Sequence, residues 1–148
     1  METDNIIMSG LQLKKLIAKK AEPLIAEYDL RPVELDILIF LSKERGQNTA
    51  KEIMHKKHLS KAHISKSIDN MRVRGFIELC EDKEDHRILH IILTKKSEEV
   101  VKKAEKIYEN CKEIIQRDIT AEEIRIMNSI IQRINYNINN ELEKSNNN

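Results

Sequence analysis

From Asp4 to Tyr28 the apolar residues Ile7, Leu11, Ala18, Ala21, Leu24, Ile25 and Tyr28 return near a helical period, with Lys14, Lys15, Lys19 and Lys20 mostly on the other side. That spacing predicts a long amphipathic helix. Leu30-Arg31-Pro32 interrupts it, because proline disfavours helical backbone at the preceding residue and suits the first position of a new helix. A second helix is expected from Pro32 to about Glu44, with Val33, Ile37, Phe40 and Leu41 inward and Gly46 ending it. Thr49 to Glu52 reads Thr-x-x-Glu, a capping box that starts a third helix with Ile53 and Met54 inward. After a turn at Lys57 to Leu59, Ser60 caps a fourth helix running to about Arg74. Its Ile64, Ile68 and Met71 share one face, Lys61, His63, Ser65 and Lys66 project from the other, and Gly75 supplies a left-handed stop.

Beyond Gly75 the period changes to two. Ile77 and Leu79 alternate with Glu78 and Cys80, and after the polar run Glu81 to Arg87, Leu89, Ile91 and Leu93 alternate with Ile88, His90 and Ile92. The pattern predicts a β-hairpin with a charged, projecting loop. Thr94 opens a fifth helix of about 24 residues, with Val101, Ala104, Tyr108, Cys111 and Ile115 along one face. Thr120-Ala-Glu-Glu123 is a second capping box and starts a sixth helix carrying Ile124, Met127, Ile131, Ile134, Ile138 and Leu142. The tail from Ser145 to Asn148 is expected to fray.

Composition narrows what such a chain does. With 148 residues, a single domain is expected. No Trp, two Phe and three Tyr leave little for stacking single-stranded bases. The net charge of +1 hides an uneven distribution. From Lys51 to Gly75, Lys51, Lys56, Lys57, Lys61, Lys66, Arg72 and Arg74 face only Glu52 and Asp69, whereas from Phe76 to Asp85 five carboxylates face Lys83 alone. A basic patch confined to one segment suits phosphate neutralisation. No leader-like segment opens the chain, and no apolar run approaches the roughly 20 residues of a spanning helix, so a cytoplasmic protein without membrane contact is expected.

Taken together, the chain resembles the MarR family of winged-helix transcription regulators over nearly its whole length. The resemblance is strongest from Gly75 through Asp85-His86-Arg87 to Leu93-Thr94, where the family has a glycine ending its recognition helix, a strand, an Asp-x-Arg wing and a Leu-Thr opening the next long helix. Leu79 and Cys80 stand where many members carry Arg, and Ser97 replaces a frequent Gly. The resemblance implies a mainly α fold with a small β-hairpin (α+β). Within it a winged helix-turn-helix over 30–94 is flanked by dimerisation helices over 4–28 and 95–143. It further implies a homodimer on a pseudo-palindromic double-stranded DNA operator, repression, and release by a small anionic or phenolic effector bound between the first, second and fifth helices. No resident cofactor is implied.

On this reading Lys61, His63, Ser65 and Lys66, behind the cap Ser60, meet base edges in the major groove. Lys51, Lys56 and Lys57 hold phosphates, and Arg72 and Arg74 either do the same or pair with the acidic loop. The resemblance places Arg87 in the minor groove with Asp85 bracing its guanidinium and Lys83 nearby. A local Asp85–Arg87 surface pair stays open as the plainer alternative. Metal sensing by His55, His58 and His63 fits no ligand spacing, and neither Cys80 nor Cys111 has surroundings that activate a thiolate. Enzyme motifs are missing from the sequence: no phosphate loop, nucleophile elbow or paired carboxylates on an apolar cleft. The rival class is a winged-helix protein-interaction module with weak or no DNA binding.

Overall fold

A computed structural model describes residues 2–44 and 46–146. The elements follow in the order α1 (Glu2–Tyr28), α2 (Pro32–Lys43), α3 (Ala50–Lys57), α4 (Lys61–Val73), β1 (Ile77–Glu81), β2 (Leu89–Leu93), α5 (Lys95–Ile115) and α6 (Ala121–Asn146). The chain divides into two compact units, residues 1–111 and residues 112–148.

In the first unit α2 is the hub. Glu34, Leu35 and Ile37 through Leu41 are all buried, so this helix is covered on nearly every side rather than along the single stripe its spacing predicted. Val33, expected inward, is only half-buried, and Glu34 is fully buried in its place. The carboxylate is matched atom for atom. Oε2 accepts from the Arg31 backbone N–H at 2.9 Å, and Oε1 accepts from Arg31 Nη2 at 2.9 Å and from Asn70 Nδ2 at 2.6 Å. Burial pushes its pKa up, but the backbone bond, Asn70 and Arg31 outweigh that and hold the group below its ordinary range. The bond to Asn70 also ties α2 to α4.

The local signals place the next elements. Thr49 accepts from the Glu52 backbone N–H at 3.3 Å and Glu52 returns a bond to the Thr49 N–H at 2.9 Å, starting α3. His58, left-handed at φ 51°, ends α3, and Gly75 at φ 77° follows α4. β1 and β2 pair antiparallel with Ile77 opposite Leu93 and Cys80 opposite His90. Phe76, Ile77 and Ile91 fasten the hairpin to a core shared with Ile53, Ile64, Met71, Val100 and Ala104.

At the start of α5 the Thr94 hydroxyl donates to the Gly75 carbonyl at 2.7 Å, while Ser97 Oγ accepts from the Thr94 N–H at 3.0 Å. Ser97, fully buried, thus fastens the residue that opens α5. In α1, Ala21 and Leu24 are buried, but Ile6, Ile7, Met8 and Leu11 are exposed, and Pro23 lies within the helix.

The second unit holds α6, started by the Thr120–Glu123 capping box. Ile126, Ile130, Ile131, Ile138 and Leu142 are exposed on it. The helix continues through Ser145, whose hydroxyl donates to the Glu141 carbonyl at 2.9 Å, so it outlasts the predicted fraying point. Residues 147–148 of the expected tail lie outside the described residues.

Candidate nucleic-acid interface

Helix α4 is anchored on one face and open on the other. Ser60 Oγ accepts from the His63 backbone N–H at 3.2 Å, fixing the first turn. Ile64, Ser67, Ile68 and Met71 are buried, which leaves Lys61, His63, Ser65, Lys66 and Arg72 exposed. No side chain of these five has a hydrogen bond or ion pair among the described residues. Their donors are therefore available to an external acceptor, and Lys61 and His63 stand in the first turn, where the backbone dipole also favours an anion, whereas Arg72 is in the last turn.

Lys51 and Lys56 of α3 line a groove of about 720 Å³ with His55, and its other wall is Arg87, Ile88 and Leu89 of the wing. The structure thus brings the α3 lysines and Arg87 to one concavity, which the sequence had not joined. Lys57 is exposed, with Nζ 5.9 Å from the Phe40 ring centre.

The wing loop, residues 82–88, is held by polar bonds. The Asp82 N–H donates to the Ile88 carbonyl at 2.9 Å, and Asp82 Oδ1 accepts from the N–H groups of Glu84 at 2.9 Å and Asp85 at 3.0 Å. Asp82 Oδ2 meets His90 Nε2 at 2.8 Å, and His90 Nδ1 lies 2.6 Å from Asn48 Oδ1. The His90 bond, reinforced by the two backbone donors, pulls the Asp82 carboxyl down to about 2. Arg87, its side chain 91% exposed, donates through Nε at 3.0 Å and Nη2 at 3.1 Å to the two oxygens of Asp85, whose Oδ1 also accepts the Arg87 N–H. That contact holds the Asp85 carboxyl below its usual range. His86 Nδ1 is 3.0 Å from Glu81, whereas Lys83 is exposed and has no side-chain partner among the described residues.

Arg74 does not join this surface. Its guanidinium donates to the carbonyls of Asp29 and Tyr28, each at 2.6 Å, and lies over the Phe76 ring, so it ties the end of α1 to the lobe. Cys80 is exposed with Sγ 3.6 Å from the Glu81 carbonyl, and Cys111 is buried. Among the described residues no group of three or more His, Cys, Asp or Glu is placed to hold a metal, and no helix is long and apolar enough to cross a membrane. Asn48, Asp82 and His90 escaped the sequence reading; the one visible hint was a histidine on the outward side of a strand.

A second cavity, about 730 Å³, lies among α1, α2 and α5. Leu13, Ile17, Ile25, Leu35, Ile107 and Tyr108 make it largely apolar, and Lys14, Glu22, Asp29 and Asp36 are its charged groups. Asp36 has no hydrogen-bond partner among the described residues, and burial pushes its carboxyl up despite the opposing pull of Lys57 and Lys14. Tyr108 is likewise pushed up by burial and by Asp36.

Residues 30–97 match the family described as the winged helix DNA-binding domain. In sequence alone the chain matches no curated protein. In fold it is similar to a Staphylococcus aureus MarR in complex with salicylate and kanamycin, with 17% identity, 95% of each chain covered and a TM-score of 0.79. It is also similar to a MarR protein from Peptoclostridium difficile, with 23% identity, 93% of this chain and 89% of that one covered and a TM-score of 0.77. A MarR family regulator from Listeria monocytogenes complexed with a 26mer DNA gives 15% identity, 92% and 89% coverage and a TM-score of 0.77.

Proposed function

We propose that this chain, a winged helix-turn-helix protein of the MarR fold, is a non-enzymatic transcription regulator that acts in the cytoplasm as a homodimer, repressing from a pseudo-palindromic DNA operator. The observation that carries this reading is the outer face of α4. Lys61, His63, Ser65, Lys66 and Arg72 are exposed on a helix whose opposite face is locked into the core, and none has an ion-pair partner among the described residues. Donors presented this way by a rigid helix fit the major groove. Lys51, Lys57 and Lys83 supply phosphate contacts around it, and Arg87, held at its base by Asp85, extends toward the minor groove. The DNA-bound Listeria relative supports the assignment by analogy of fold.

The dimer is supported by apolar side chains left to solvent on α1 and on α6, Ile6, Ile7 and Leu11 on the first and Ile130, Ile131 and Ile138 on the second. Exposed apolar surface of this kind calls for a partner. The α1–α2–α5 cavity supports a small-molecule effector. Three carboxylates against one lysine in its lining favour the phenolic over the anionic half of the expected ligand range.

Footprinting of the DNA upstream of the gene tests the reading. The expected result is protection of an inverted repeat with half-sites roughly 34 to 36 Å apart; no protection, with normal folding, contradicts it and favours the protein-interaction module.

A further inference from the structure

We infer that His90 is a positioning residue for the wing, clasping the loop that carries Arg87 to the segment that leads into α3; this rests on the reading that the wing meets duplex DNA. Strand alternation puts His90 on the face of β2 away from the buried Ile91, yet its side chain is only 30% exposed, because Asn48 and Asp82 lie at its two ring nitrogens. Asn48 is itself fixed. Its carbonyl accepts from the Ile91 N–H at 2.8 Å, and it directly precedes the α3 cap Thr49.

From the ring, order passes outward by bonds already described. Asp82 Oδ2 takes His90, Asp82 Oδ1 takes the N–H groups of Glu84 and Asp85, and Asp85 grips Arg87 by backbone and side chain. Among the described residues, no other side chain is hydrogen-bonded both to the wing loop and to the segment leading into α3. An ionised Asp82 only accepts, so the Nε2–H donates to it, and the Asn48 amide completes the contact at Nδ1.

The test combines a double-mutant cycle with hydrogen exchange on the full chain. His90→Ala should weaken binding to a duplex about five- to tenfold with Arg87 present, and less than about twofold in an Arg87→Ala background, because its effect passes through Arg87. Without any DNA, the amides of Glu84 and Asp85 should exchange at least about tenfold faster in His90→Ala. His90→Gln, which keeps a donor within reach of Asp82, should recover most of both effects. Equal losses in the two Arg87 backgrounds, or unchanged exchange at Glu84 and Asp85, overturn the clasp. Failure of the unmutated protein to bind duplex overturns the DNA reading instead, and the exchange arm reads the clasp independently of it.

Discussion

Helix α4 and the wing offer their polar groups to the same solvent but are secured by opposite means. The helix is anchored by apolar burial through Ile64, Ile68 and Met71, and its outward Lys61, Lys66 and Arg72 have no partner among the described residues. The wing has an apolar anchor only at its base, in Ile77 and Ile91, and its tip is organised by Asp82–His90, Asp85–Arg87 and Glu81–His86. A helix held by its core spends no charge on its own pose, so its full complement of donors remains for a partner. The wing does the reverse: most of its charges set its shape, and the Arg87 guanidinium is already shared with a carboxylate. On the proposed reading this is how a hairpin so acidic can sit beside a helix that meets DNA, since Asp82 and Asp85 are turned to internal donors.

Four outcomes would break or sharpen that contrast. The largest concerns the helix anchor: Ile64→Ala should cost about 2–5 kcal/mol of unfolding free energy in a denaturant titration, whereas Leu89→Ala on the exposed wing should stay within about 0.5 kcal/mol. Next, Lys61→Ala with Lys66→Ala should lower duplex affinity by about a hundredfold and flatten the slope of log K against log salt by about 2 per lobe, with thermal stability unchanged. A smaller loss, about tenfold, is expected for Arg87→Ala by fluorescence anisotropy, and less again for Asp85→Asn, which loosens the guanidinium without removing it. An Arg87→Ala loss exceeding that of the two lysines would reverse the ranking of helix and wing.

The smallest effect is one of pH. Asp82 is depressed from the ordinary 3.8 to about 2, so its contribution is fully present above about 4 and is lost as pH falls toward 2. Protection of the Glu84 and Asp85 amides should therefore be level from pH 7 to about 4 and decline below it. Amides in the middle of α4 around Ile64 and Ile68, held by apolar burial, should keep their protection to lower pH than those of the loop.

The same contrast marks what the sequence could reveal. Helix starts at Thr49 and Ser60, the stop at Gly75 and the hairpin were legible, because each depends on residues within a few positions of one another. The outward residues of α4 were legible for the same reason. Glu34 was not: on a helical wheel it passes for a surface acid, and its buried place depends on Asn70, 36 positions away. Nor was the clasp, since Asn48 and His90 are 42 apart and no periodicity links them. Arg74 looked like one more cation of the basic patch until the end of α1 supplied carbonyls for it. Local chemistry thus predicted the side chains offered outward, while the bonds that aim them required the folded lobe.

The most direct test of the central claim is binding of the purified protein to a random-sequence duplex over a range of salt. The account predicts binding at low salt whose log K falls linearly with log salt, with a slope steeper than about −4 for two lobes, as cations on α4 and α3 displace counterions. No binding at low salt, or affinity indifferent to salt, would contradict it and leave α4 as a solvated face of a protein-interaction module.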